Sequence, residues 1–155
     1  MDFSMNVMTS DAPTTGLQQL QNLLAAGRQP PIGDTMGFSL DEIAEGRAVF
    51  VGTPGPQLYN PIGSVHGGYA ATLLDSACGC AVHSRLKVDQ AYTTLELKIA
   101  YHRGMTADTG PVRAIGTVLT MGRRVAFAEA KLLDDQDRLL ASATSTLLVM
   151  ERPAG

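Results

Sequence analysis

Apolar residues recur along this chain with two different periods. Leu17, Leu20, Leu23 and Leu24 fall on one side of a short helix over residues 16–26, which Gly27 and the Pro30-Pro31 pair end. Residues 37–43 and 47–53 read as two strands joined near Glu45-Gly46. Pro54, Gly55, Pro56, Pro61 and Gly63 then make a long irregular loop. From about residue 68 to 86 the chain is apolar around the whole circumference of a helix, so that helix is expected to be enclosed by protein. Residues 93–101 alternate, with Leu95, Leu97, Ile99 and Tyr101 on one face and Thr94, Glu96 and Lys98 on the other. Three more strands are predicted over 111–121, 123–133 and 138–150. The segments between them are short enough for antiparallel connections. Two strands, one buried helix and four strands together give an α+β arrangement, an antiparallel sheet curling around one central helix.

Composition changes this picture little. A chain of 155 residues with 45% hydrophobic and 17% charged residues is an ordinary globular protein of one domain. The predicted division is an N-terminal arm with the short helix over 1–30, loose over its first thirteen residues, and a single domain over 31–155. A net charge of −3 without a basic run gives no reason to expect nucleic acid as a partner. The longest apolar stretch, residues 69–82, falls short of the ~20 residues that span a bilayer. The N-terminus lacks the basic and apolar regions of a secretory signal. Cys78 and Cys80 are two apart on the helix, point in different directions and cannot bond to each other. They read as small core residues of a reducing compartment, and the expected location is the cytoplasm.

Candidate chemistry concentrates on the central helix. Between Ala48 and Ser84 the one fully charged side chain is Asp75, and the helix that carries it opens with His66-Gly67-Gly68. A carboxylate in an apolar segment is costly unless something satisfies it. It reads either as a group reaching the surface or bonding to backbone, or as one kept for proton transfer or attack. The Gly67-Gly68 pair lets a ligand approach the backbone, and the start of a helix presents unpaired N–H groups that suit an oxyanion. Eight residues of helix separate Gly67 from Asp75 by roughly 12 Å. Catalysis at a carbonyl needs the attacking group within ~3.5 Å of its carbon. If both residues act on one carbonyl, one of them must come from a neighbouring subunit whose helix runs antiparallel alongside. The pattern therefore predicts a homodimer with two shared clefts.

The run Asn60-Pro-Ile-Gly63-Ser-Val-His66-Gly67-Gly68 with Thr72-Leu-Leu-Asp75 resembles hotdog-fold acyl-CoA thioesterases of the phenylacetate-degradation (PaaI-like) branch. The stretch Thr93-Thr94-Leu-Glu-Leu-Lys-Ile-Ala-Tyr101 and the run Gly122-Arg123-Arg124-Val-Ala-Phe127 are similar to that branch as well, and the likeness covers about residues 31–150. The resemblance implies a hotdog fold and hydrolysis of an acyl-CoA to a carboxylic acid and free coenzyme A. Coenzyme A would be part of the substrate, with no other cofactor. No metal is expected, since His66, Asp75 and His83 do not share a helical face at ligand spacing, and no membrane partner, since no apolar stretch is long enough. By the same resemblance Asp75 is the catalytic carboxylate, either general base or nucleophile, and the Gly67 N–H binds the thioester oxygen with His66 supporting that end. Asn60 would help place the carbonyl or the water, and Thr94 would orient the attacking water, with Thr93 replacing it if the register slips. In a related branch the carboxylate is Glu and a Thr follows one turn later. Here that place is Gly79.

The resemblance also implies a homodimer that pairs again into a tetramer. Arg123 and Arg124 read either as solvated hairpin residues or, with Gly68 and Thr93 on the substrate side, as ligands of coenzyme A phosphates, since guanidinium groups suit phosphate oxygens. Arg85 and Arg103 compete for that role. His83 and His102 read as structural or exposed. Two other functions fit the same elements. One is a hotdog-fold hydratase or dehydratase acting on an acyl thioester. The other is a non-catalytic acyl-CoA-binding protein, for which the arm is too small to supply a DNA-binding output module.

Overall fold

The computed structural model describes residues 13–153, so most of the segment expected to be loose lies outside the described residues. A helix α1 (Gly16–Ala25) and a helix α2 (Pro31–Met36) lead into strands β1 (Phe38–Ala44) and β2 (Arg47–Gly52). The central helix α3 (Gly67–His83) follows, and then strands β3 (Gln90–Tyr101), β4 (Val112–Met121), β5 (Val125–Asp134) and β6 (Leu139–Glu151). All pairings are antiparallel and the sheet order is β1-β2-β4-β5-β6-β3. The expected α+β class and the six strands are present, and the hotdog fold accounts for both. Two details differ. Pro30-Pro31 ends α1 as expected, but Pro31 also begins α2, because a proline at the first helical position gives up no hydrogen bond. The residues 54–66 loop contains a 3-10 turn over Pro56–Leu58 and a bridge between Tyr59 and Val65.

The sheet holds α3 through small residues. On its inner face lie Ala114 and Gly116 of β4, Ala126, Ala128 and Ala130 of β5, and Ala141 and Ala143 of β6, all buried. A Cβ on Gly116 would overlap the Ala77 carbonyl, so the helix backbone rests directly on the strand. Leu73, Leu74, Ala77, Cys78, Ala81 and Val82 fill the space between. The expectation that α3 is enclosed on all sides is not met by one chain. Ala71, Thr72, Asp75 and Ser76 are only half-buried, and they form a continuous flank of the helix. No helix among the described residues is long and apolar enough to cross a membrane.

The arm helix closes the other end of α3. Gly16 N–H donates to the Leu86 carbonyl at 3.0 Å. His83 Nε2 lies 2.8 Å from Gln19 Oε1. Burial, and behind it the Arg152 cation, push the His83 imidazole down to about 4. An unfolded histidine takes its proton near ~6.5, so between about 6.5 and 4 the unfolded chain binds a proton that the folded one refuses. Stability is therefore complete above that window and declines as the pH falls through it. The thermal midpoint is expected to drop between pH 7 and pH 4, and His83→Gln should flatten that part of the curve. An equally steep curve in the variant would show that another group controls it.

Candidate active site

Asp75 and the opening of α3 are both tied to β3, the strand at the edge of the sheet. Thr94 Oγ1 donates to Asp75 Oδ1 at 3.0 Å. Simple alternation places Thr94 on the face opposite Leu97, Ile99 and Tyr101, and the structure corrects this. The pairing of β3 with β6 shifts by one residue between Thr94 and Glu96. The bulge turns Leu95 outward, where it is 57% exposed, and leaves Thr94 facing α3 together with Leu97 and Ile99. Thr93 is exposed, so Thr94 and not its neighbour meets the carboxylate. No cationic side chain among the described residues pairs with Asp75.

One turn beyond Asp75, a side chain at Gly79 would meet the Tyr92 hydroxyl at 2.9 Å. The tyrosine therefore fills the space in which a related branch carries a threonine. Tyr92 is also pushed well above its ordinary value, by burial first and then by the negative charges of Cys80 and Asp75. Cys78 and Cys80 are free thiols. Burial, reinforced by the Asp75 charge, pushes each of them up to about 12, which disfavours the reactive thiolate.

At the start of α3, His66 is the capping residue. Its Nδ1 accepts from the Gly68 N–H at 2.8 Å. The Gly68 N–H is thereby committed to the cap. Among the described residues nothing accepts from the Gly67 N–H. Tyr101, at the end of β3, donates from its hydroxyl to the Gly67 carbonyl oxygen at 2.8 Å. Its ring crowds Gly67, where a Cβ would meet Oη at 3.0 Å and Cζ at 3.1 Å and the ring would have to give by a few tenths of an ångström. Tyr101 is the residue that sequence reasoning missed.

Asn60 is fixed inside its own loop. Its Oδ1 accepts from the Ile62 and Ser64 N–H groups at 3.1 and 3.2 Å, and its Nδ2 donates to Ser64 Oγ at 3.1 Å. The loop is closed on itself by His66 N–H to Leu58 O at 2.8 Å and held to the rest of the chain by Val65 N–H to Met105 O at 2.9 Å. The cap is therefore delivered to α3 by a closed turn, and Asn60 is a staple of that turn. His102 is exposed and its Nε2 lies 2.9 Å from Ser142 Oγ.

The arginines separate by place. Arg123 and Arg124 lie in the turn between β4 and β5 and join no ion pair among the described residues. Arg123, Arg85 and Lys87 line one surface cavity of about 560 Å³, together with the carboxylates Glu45 and Glu151. Arg123 and Arg124 line a second, more apolar one with Val125 and Phe127. Arg103 lines neither.

An acid on an open helix flank, bonded to a threonine hydroxyl, and an unclaimed N–H at a helix start are the kinds of group that acyl transfer uses. The sequence matches the thioesterase superfamily over residues 62–141, a span that includes Gly67, Asp75 and Thr94. The chain belongs to the thioesterase superfamily. Thioester hydrolysis is the class of activity this family membership assigns to it.

Several relatives of this family share the whole domain. The 1,4-dihydroxy-2-naphthoyl-CoA hydrolase of Listeria monocytogenes is 23% identical over 119 residues, covering 77% of this chain and 95% of the relative. A thioesterase family protein from Silicibacter pomeroyi superposes with a TM-score of 0.75 at 27% identity, over 88% of this chain and 98% of that one. A mutant form of the phenylacetic acid degradation protein PaaI from Thermus thermophilus does so with a TM-score of 0.70 at 26% identity, over 77% and 98%.

Proposed function

We propose that this thioesterase acts on acyl-CoA in the manner of the PaaI-like branch, in a pocket shared by two copies of the chain. In this reading the Gly67 N–H of one subunit holds the thioester oxygen, and Asp75 of the other activates a water or attacks the carbonyl directly. The hydroxyl of Thr94 keeps the carboxylate or its water in line. When water adds to the carbonyl carbon, negative charge builds on the oxygen facing the helix start. Collapse of that intermediate breaks the C–S bond, leaving a carboxylic acid and the coenzyme A thiolate. A thiolate is a good leaving group, so the site needs no strong general acid.

The observation that carries the reading is the half-buried flank of α3 with Asp75 in its middle, its carboxylate bonded among the described residues to Thr94 alone. A second α3 laid antiparallel on that flank would finish its burial and bring a Gly67 N–H to the acid. The edge strand β3, with Leu95 and Tyr101 each 57% exposed, offers its free hydrogen-bonding side to the same strand of a twin. A further pairing into a tetramer is part of the proposal, as is a cytoplasmic location. The cavity of Arg85, Lys87 and Arg123 is the proposed seat of the coenzyme A phosphates. Arg124 is the next choice.

Release of free thiol from short, medium, long and aromatic acyl-CoAs tests the proposal. Turnover of at least one class is expected. Addition of water to an enoyl-CoA without thiol release would replace hydrolysis by hydration. Tight acyl-CoA binding without any turnover would make the protein a sensor.

A further inference from the structure

The Gly67–Gly68 peptide is gripped at both of its polar atoms. Its oxygen accepts from Tyr101 Oη at 2.8 Å and its N–H donates to His66 Nδ1 at 2.8 Å. A peptide between two glycines has the widest choice of conformations of any in a chain, and at the first turn of a helix it lacks part of the usual hydrogen-bond ladder. The Gly67 N–H belongs to the preceding peptide, whose oxygen accepts from the Tyr69 N–H at 3.0 Å. The Gly67–Gly68 peptide adjoins it at the Gly67 Cα, where a glycine turns freely. With both peptides held, the backbone on either side of that Cα is fixed, and the Gly67 N–H is the donor left for a ligand.

We propose that Tyr101 is a positioning residue of the thioesterase site, which with His66 clamps the Gly67–Gly68 peptide and aims the Gly67 N–H at the thioester oxygen. The clamp depends on the bulge that follows Thr94. Under regular alternation, Thr94 and Tyr101 would stand on opposite faces of β3. The inserted residue brings both hydroxyls to α3, one to the acid and one to the helix start. A single edge strand thereby registers both reactive ends of the helix. Glycine at position 67 suits both demands: its N–H is open to approach, and a Cβ there would press on the Tyr101 ring and disturb its bond to the carbonyl.

The inference rests on the reading of Gly67 as the oxyanion donor, and its test separates the two. Tyr101→Phe removes the hydroxyl and keeps the ring. Because the donor is misaimed and not deleted, kcat should fall about tenfold, less than the ~10²-fold typical of a lost oxyanion donor. KM should stay within about twofold, since the interaction strengthens only as charge develops on the oxygen. The thermal midpoint should not move, and hydrogen exchange of the Gly68 amide, followed by NMR, should become faster. Unchanged kcat, a loss carried by KM alone, a loss that follows the midpoint, or an unaltered Gly68 amide would each overturn the clamp. If the wild-type protein releases no thiol from any acyl-CoA, the catalytic reading fails. The amide exchange still decides whether Tyr101 holds this peptide.

Discussion

Asp75→Asn should leave a folded protein whose acyl-CoA turnover is lower by about 10³-fold or more. The amide has the shape of the carboxylate but can neither take a proton from water nor attack a thioester carbon. Its oxygen can still accept from Thr94 Oγ1, so the contact at 3.0 Å survives and the strand keeps its register. Asp75 has no cationic partner among the described residues, so removing its charge strands no buried cation. The thermal midpoint is therefore expected to stay level or rise, because a half-buried charge has been replaced by a neutral group. Acyl-CoA binding measured by calorimetry should be retained. Thr94→Ala should lower turnover by a smaller factor, about tenfold, because the carboxylate remains and only its orientation is lost. Thiol release at saturating substrate measures all of these. An Asp75→Asn protein that keeps more than about a tenth of wild-type turnover would remove the carboxylate from the chemistry altogether.

The order of elements was legible because each depends on local periodicity. The apolar run of α3 and the alternations of β4, β5 and β6 are carried by the residues themselves, and the small residues that seat the helix lie on the inward positions of those strands. Three features escaped for physical reasons. Helix α2 was hidden because a proline is compatible both with ending one helix and with beginning the next. The bulge after Thr94 was hidden because it reverses the face of every residue beyond it while leaving the composition unchanged. Tyr101 was hidden as a consequence, since alternation assigned it to the face opposite Thr94. Asn60 stood out by motif, yet the local hydrogen bonds of its turn, which use both side-chain atoms, leave no trace in spacing. The apolar circumference of α3 called for enclosure on every side, and the described chain supplies it on all but one flank. What one sequence cannot express is that a single chain leaves one flank of the helix half-buried.

That open flank makes the mixing of two inactive variants the decisive measurement. Gly67→Val should be inactive, because its Cβ meets the Tyr101 ring and a branched side chain covers the N–H. Asp75→Asn is inactive for the reason above. A dimer containing one copy of each has one pocket that combines the intact Gly67 of the Asp75→Asn chain with the intact Asp75 of the Gly67→Val chain, and one pocket carrying both lesions. Equal amounts, denatured together and refolded, give about half mixed dimers by random pairing, so about a quarter of the wild-type pockets are restored. Turnover should rise from near zero to about that fraction, and circular dichroism of each variant alone should show a folded protein. If both groups served one carbonyl from the same chain, no mixed dimer would contain a whole pocket and the mixture would stay inactive. The roughly 12 Å of helix between the two residues makes the first outcome the expected one. Recovery of activity would fix the location of the site at the α3 flank between two copies, and persistent inactivity in a mixture shown to exchange subunits would place the whole reaction within one chain.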